Sequence, residues 1–363
     1  MKMTFRYFGK NSDTVTLAQI KQIAGVTGVM GFLDYKAAGE VWQKREIKAY
    51  IDEINAAGLE CEVIESVNIH EDIKLGGGNR DLYIENFMTT VRNLAEFGVK
   101  TVIYNFMPVF DWLRTDLAAI NPEDGSNSLF YDDAALAGLT PVSIVEKMKE
   151  ASLGFSLPGW EPARLSELKQ TLLKYENITE NDLLKSYKYF LNACLPVCAE
   201  TGVCLAVHPD DPPFSVFGLP RAVCSLAQLE AIIALNPAPQ NQICVCTGSL
   251  GAEPKNDIPE IIRRLGAQNR VACAHLRNIK FEGERVFRES AHLSQKGSLD
   301  MYEIVKAIYE TCPGISVRPD HGRTIWNETA RPGYGLYDRA LGASYILGLY
   351  EAIQKGRKSN ACA

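Results

Sequence analysis

Histidine is scarce in this chain, five in 363 residues, so each one is informative. No apolar run reaches the roughly 20 residues that a membrane-spanning helix needs, and no membrane partner is expected. Basic charge is short as well. Lys and Arg total 38 against 44 Asp and Glu, a net charge of −6, and no basic stripe offers itself to nucleic acid. The glycine patterns that cradle nucleotides are missing: Gly76-Gly77-Gly78 has no Lys-Ser/Thr after it and no strand directly before it. That disfavours a hydride-transferring oxidoreductase. The ten cysteines lack the spacing of a small disulfide scaffold. Cys61, Cys194, Cys204 and Cys273 fall in apolar runs, and Cys194 and Cys198 share one helix face. These thiols are expected reduced and packed, in a cytoplasmic protein. There is no signal-peptide pattern, because Met1 to Arg6 already reads as strand.

What the chain does have is alternation. Eight strand-length apolar runs are expected: 4–8, 28–33, 61–67, 101–107, 203–208, 243–247, 271–276 and 315–320. Helices are expected between them: 16–24, 44–57, 80–97, 181–201, 225–235, 258–265, 301–311 and 336–352. Eight such units predict an α/β fold, a (β/α)8 TIM barrel, as one domain over 1–355 with a frayed tail over 356–363. A doubly wound open sheet is the alternative. Residues 110–177 are too long for a connector after the fourth strand. They are expected to form a helical insertion, either a lid over the active site or a dimerisation arm.

Barrel enzymes work from the C-terminal ends of their strands. Four consecutive ends carry metal-capable side chains here: His208, Cys246, His275 and Asp320. Period-two alternation places Ala206 and Cys204, Cys244, and Cys273 on the same faces as small residues beneath them. Simple packing is the alternative for any one of these, but four together point to a metal site. Ligand chemistry alone favours zinc and leaves Fe2+ and Mn2+ open. His321 follows Asp320 and suits acid/base work beside the ion. Tyr334 stands between two glycines in the next loop, where it either reaches the site or packs on the rim. Arg277 and Arg318 share faces with His275 and Asp320, and their anionic partner could be a substrate carboxylate or simply another barrel residue. His70, after the third strand, could touch substrate or lie in a surface loop.

These stretches resemble the mannonate dehydratase family nearly end to end. The resemblance is carried by GEVW (39–42), HEDIKLG (70–76), RDLYIEN (80–86), YNFMPVFDW (104–112), HPDDPP (208–213), CTGSLG (246–251), AHLRN (274–278), RPDHGR (318–323) and RPGYGLYDRALG (331–342). It implies a xylose-isomerase-like barrel that dehydrates D-mannonate, a small sugar acid, to 2-dehydro-3-deoxy-D-gluconate in glucuronate catabolism. It further implies Mn2+ or Fe2+ held by His208, Cys246, His275 and Asp320, with His321 and Tyr334 as the proton-transfer pair. Tyr334 is expected to be the base, its phenol lowered by a nearby cation, and His321 the acid. Arg277, Arg318, His70 and Asn105 are expected to hold the carboxylate and hydroxyls, and the enzyme is expected to be a homo-oligomer, a dimer. A metal-dependent sugar isomerase or epimerase and a non-catalytic sugar-acid-binding protein are the rivals.

Overall fold

The computed structural model describes residues 1–152 and 168–361. Its strands are β1 (Lys2–Arg6), β2 (Val26–Gly31), β3 (Glu60–Glu65), β4 (Thr101–Tyr104), β5 (Asp116–Ile120), β6 (Asn127–Asp132), β7 (Cys204–Val207), β8 (Asn241–Cys246), β9 (Val271–Leu276), β10 (Asn278–Gly283), β11 (Val286–Ser290) and β12 (Ser316–Pro319). The strands β1, β2, β3, β4, β7, β8, β9 and β12 pair in parallel and close into a barrel. These are the eight expected runs, most of which were drawn a few residues too far at their C-terminal ends. The chain there leaves the ladder to form the barrel mouth.

Local chemistry sets the helix boundaries. The Thr16 hydroxyl accepts from the Gln19 N–H, and Ser225 does the same for Gln228. The helix Glu180–Thr201 ends at Gly202, whose φ of +76° suits glycine. The helix Ile258–Gly266 turns Ile258, Ile261, Ile262 and Leu265 inward. Met30, Val63, Ile103, Ala206, Cys244 and Cys273 form one buried cluster inside the barrel. Cys194 and Cys198 are buried in the outer core, as expected. Among the described residues nine cysteines are free.

The insertion differs from expectation. It holds the helices Pro141–Ala151 and Leu168–Tyr175, but its first part is strand, with β5 antiparallel to β6. The stretch Asp124-Gly125-Ser126 is the turn between them: Gly125 has φ +72°, and the Asp124 carboxylate accepts from the Ser126 N–H. β6 pairs with β11 of a hairpin that follows β9, giving a four-stranded sheet in the order β10-β11-β6-β5. Under it lies a second core that includes Trp112, Leu113, Leu129, Tyr131, Ile279 and Phe287. Leu157-Pro158-Gly159-Trp160 lies outside the described residues. The last helix runs from Tyr337 to Ala361. Arg357 supports it by pairing with Glu310 and lying over the Tyr309 ring.

Ile308 is fully buried between the barrel and its helices. Ile308→Ala should lower unfolding stability by about 2–5 kcal/mol, read as an earlier urea midpoint with an unchanged slope.

Candidate active site

Side chains alternate along a strand, so the residue two beyond each member of the inner cluster also points inward, one layer nearer the mouth. Those residues are Phe32, Glu65, Asn105, His208, Cys246 and His275. A cavity opens above them, lined by Phe32, Glu65, Asn105 and His208 of this layer and by Arg6, Trp112, Arg277, Arg318, Asp320, His321 and Tyr334.

Three of the four expected ligands converge. The donor atoms of His208, Cys246 and His275 lie within 4.8 Å of one another. Strand register sets part of this, because Cys246 of β8 pairs directly with His275 of β9. His208 Nδ1 is 2.8 Å from the Pro209 carbonyl, which fixes the N–H there and leaves Nε2 as the donor. Asp320 stands beside the trio. Its Oδ2 is 3.4 Å from Cys246 Sγ, while Arg277 Nε (3.0 Å) and Arg318 Nη1 (2.6 Å) grip its two oxygens. Two imidazoles, a thiol and a carboxylate fit a divalent transition ion.

Electrostatics prepare these groups. Burial would raise the Cys246 thiol, but Arg277 and hydrogen bonds from His208 and His275 bring it down to about 5. Burial would lower His208, yet its contact with Cys246 raises it to about 9. The Asp320 carboxyl is held well below the usual range: Arg318, His321 and Arg277 outweigh its burial.

His321 and Tyr334 meet, with Nε2 and Oη 2.9 Å apart. Burial and the Asp320 charge push the Tyr334 phenol up to about 12, the reverse of the lowering a base at neutral pH needs. Arg277 is enclosed by Asp211 (2.6 Å), Asp320 and Glu289, and Arg318 takes Glu65 bidentately at 3.0 and 2.9 Å. Asn105 lines the cavity, with a buried Oδ1 that has no hydrogen-bond partner among the described residues. His70 sits apart from this group. It caps the helix Glu71–Leu75 by accepting from Asp72 N–H, and its ring stacks on Tyr83 at 3.7 Å.

Sequence reasoning missed Arg6, Glu65, Asp211 and Glu289. Glu65 left a usable signal, as a charged residue in inward register with Val63 at the end of the third apolar run. Its Oε2 is 3.2 Å from His275 Nε2.

A family model for D-mannonate dehydratase (UxuA) matches residues 1–360. The chain belongs to the D-mannonate dehydratase family. The mannonate dehydratase of Lachnoclostridium phytofermentans is 58% identical over 99% of this chain and 100% of its own length. A crystal structure of mannonate dehydratase from Streptococcus suis serotype 2 matches with a TM-score of 0.89 at 42% identity, covering 98% of this chain and 96% of that one. The barrel itself is shared more widely. A xylose isomerase domain protein from Planctomyces limnophilus gives a TM-score of 0.55 at 13% identity, over 97% of this chain and 98% of that one. The dehydratase is thus a metal-dependent hydro-lyase that converts D-mannonate to 2-dehydro-3-deoxy-D-gluconate in glucuronate breakdown. Its substrate is a small sugar acid, and no described helix is long and apolar enough to cross a membrane.

Ion uptake should be linked to protons. His208 carries a proton below about 9 in the ion-free chain, whereas Cys246 has lost its own above about 5. A ligating imidazole must be neutral, so each ion bound at pH 7 should release about one proton. Apparent affinity should climb as pH rises toward 9. Calorimetry in buffers of different ionisation enthalpy would measure both.

Proposed function

We propose that the barrel-mouth cavity is where water leaves D-mannonate, with His208, Cys246, His275 and Asp320 holding one Mn2+ or Fe2+ ion and His321 and Tyr334 moving the protons. The contact between His321 Nε2 and Tyr334 Oη, on the wall shared with Asp320, carries this reading. Dehydration removes the C2 proton beside the carboxylate and expels the C3 hydroxyl. The bound ion would supply Lewis-acid stabilisation of the charge that develops at the carboxylate and 2-hydroxyl.

The roles of the pair follow from their hydrogen bond. Tyr334 keeps its proton at neutral pH, since burial holds the phenol high despite Arg318. Its O–H has one hydrogen-bond partner among the described residues, His321 Nε2. That nitrogen is then the acceptor, and its lone pair comes free for the C2 proton as the Tyr334 O–H turns to the departing hydroxyl. We assign His321 to take the C2 proton and Tyr334 to protonate the departing hydroxyl. This reverses the roles expected from sequence, where a nearby cation was to make Tyr334 the base.

Asn105 Oδ1 is a buried acceptor in need of a donor, and a sugar hydroxyl would provide one. Arg277 and Arg318 act on the substrate through the carboxylates they grip, above all Asp320. His70 shapes its own loop through its cap and its stack. A cytoplasmic homodimer belongs to the same proposal, the compartment supported by the free thiols.

Chelator-treated protein should turn over D-mannonate only after Mn2+ or Fe2+ is restored, with the 2-keto-3-deoxy acid assayed as product. Tyr334→Phe and His321→Asn should each cut kcat by about 10²–10⁴-fold while bound metal stays at the wild-type level. Wild-type turnover by either variant would remove that residue from the proton path.

A further inference from the structure

We infer that Glu289 is a positioning residue for His321, delivered to the barrel site by the antiparallel sheet built over it. The inference rests on the proton-transfer role proposed above for His321. Glu289 lies in β11 with no exposed surface, and it is not among the residues lining the cavity. It therefore reaches substrate only through another group. Its Oε1 is 3.3 Å from His321 Nδ1 and 3.0 Å from Arg114 Nη2, and it makes a short contact with Arg277 Nη1.

Arg114, just before β5, grips Asp211 with its other contacts at 2.7 and 3.1 Å. Both excursions from the barrel thus meet at this one carboxylate. Arg277 Nη1, a donor only, is also 3.0 Å from His321 Nδ1. Because the Tyr334 O–H donates to Nε2, a neutral ring carries its proton on Nδ1, and we give that proton to Glu289, the acceptor within reach. That tautomer leaves Nε2 bare toward Tyr334 and the cavity, and the carboxylate stabilises the imidazolium that forms when Nε2 takes a proton. The Trp112 ring, 5.9 Å from the imidazole between centroids, limits its rotation from the other side.

The experiment compares Glu289→Gln, Glu289→Asp and His321→Asn with the wild type, each loaded with Mn2+. Glu289→Gln should lower kcat by about 10²-fold or more, with KM within about threefold and metal content unchanged. The primary isotope effect with C2-deuterated D-mannonate should grow, because proton removal has become slower. Glu289→Asp, which keeps the charge, should recover part of the loss. Wild-type kcat in Glu289→Gln, with His321→Asn inactive, would overturn the inference alone. Full activity in His321→Asn would overturn the reading beneath it. A readout that needs no Glu289 variant is the ¹⁵N shift pattern of the wild-type histidines, five in all, with His321 identified by its loss in His321→Asn. A proton on Nδ1 is expected, and a neutral ring protonated on Nε2 would refute the proposal.

Discussion

Arg277 has no exposed surface, so its charge must be met entirely from within the protein. Asp211, Glu289 and Asp320 meet it, drawn from the loop after β7, from β11 and from the end of β12. Ser249 Oγ, 3.1 Å away, completes the shell, and Cys246 Sγ is 3.8 Å from Nη2. One guanidinium therefore ties the Cys246 thiol, the Asp320 carboxylate and the partner of His321 to a common origin. The arrangement needs backbone close by: a Cβ on Gly248 would overlap Arg277 Nε. The glycine of Cys246-Thr247-Gly248 is there for its lack of a side chain. Sequence reasoning left a buried arginine here two partners, a substrate carboxylate or another barrel residue. The anions it found belong to the protein.

The barrel and the residues that gather at its mouth were legible for one physical reason. Strand side chains repeat every two residues, and a closed barrel turns every second one inward. Ala206, Cys244 and Cys273 are small, so they pack as a layer, and His208, Cys246 and His275 must stand directly above them. Asp320 and His321 were found from their place at a strand end, Tyr334 from its two glycines. The same periodicity would have found Glu65 above Val63 and Arg6 above Thr4, had early strands been read as closely as late ones.

The antiparallel sheet was not legible in this way. Its central pair, β6 with β11, joins segments about 150 residues apart, Tyr131 with Phe287 for instance, and no local period announces a partner that distant. Helical propensity over 141–151 was real, but it said nothing of the hairpin before it. Arg114 and Glu289 depend on that pairing for their meeting, so each alone reads as an ordinary charged residue in a loop or strand. The wall of the site is nonlocal, while its floor is periodic.

Charge explains why floor and wall belong together. Within the cluster linked by these contacts, Arg6, Arg114, Arg277 and Arg318 face Glu65, Asp211, Glu289 and Asp320. The remaining pair is the Cys246 thiolate and the His208 imidazolium. This buried set is balanced as it stands, which is how so many charges can be kept from water. Exchanging the His208 proton for a divalent ion would add one positive charge. A sugar acid brings one carboxylate, and with it the cluster would be neutral again. A neutral aldose or ketose would leave that charge unmatched in a buried site, so the same balance that keeps the ion-free barrel stable selects an acid over a sugar.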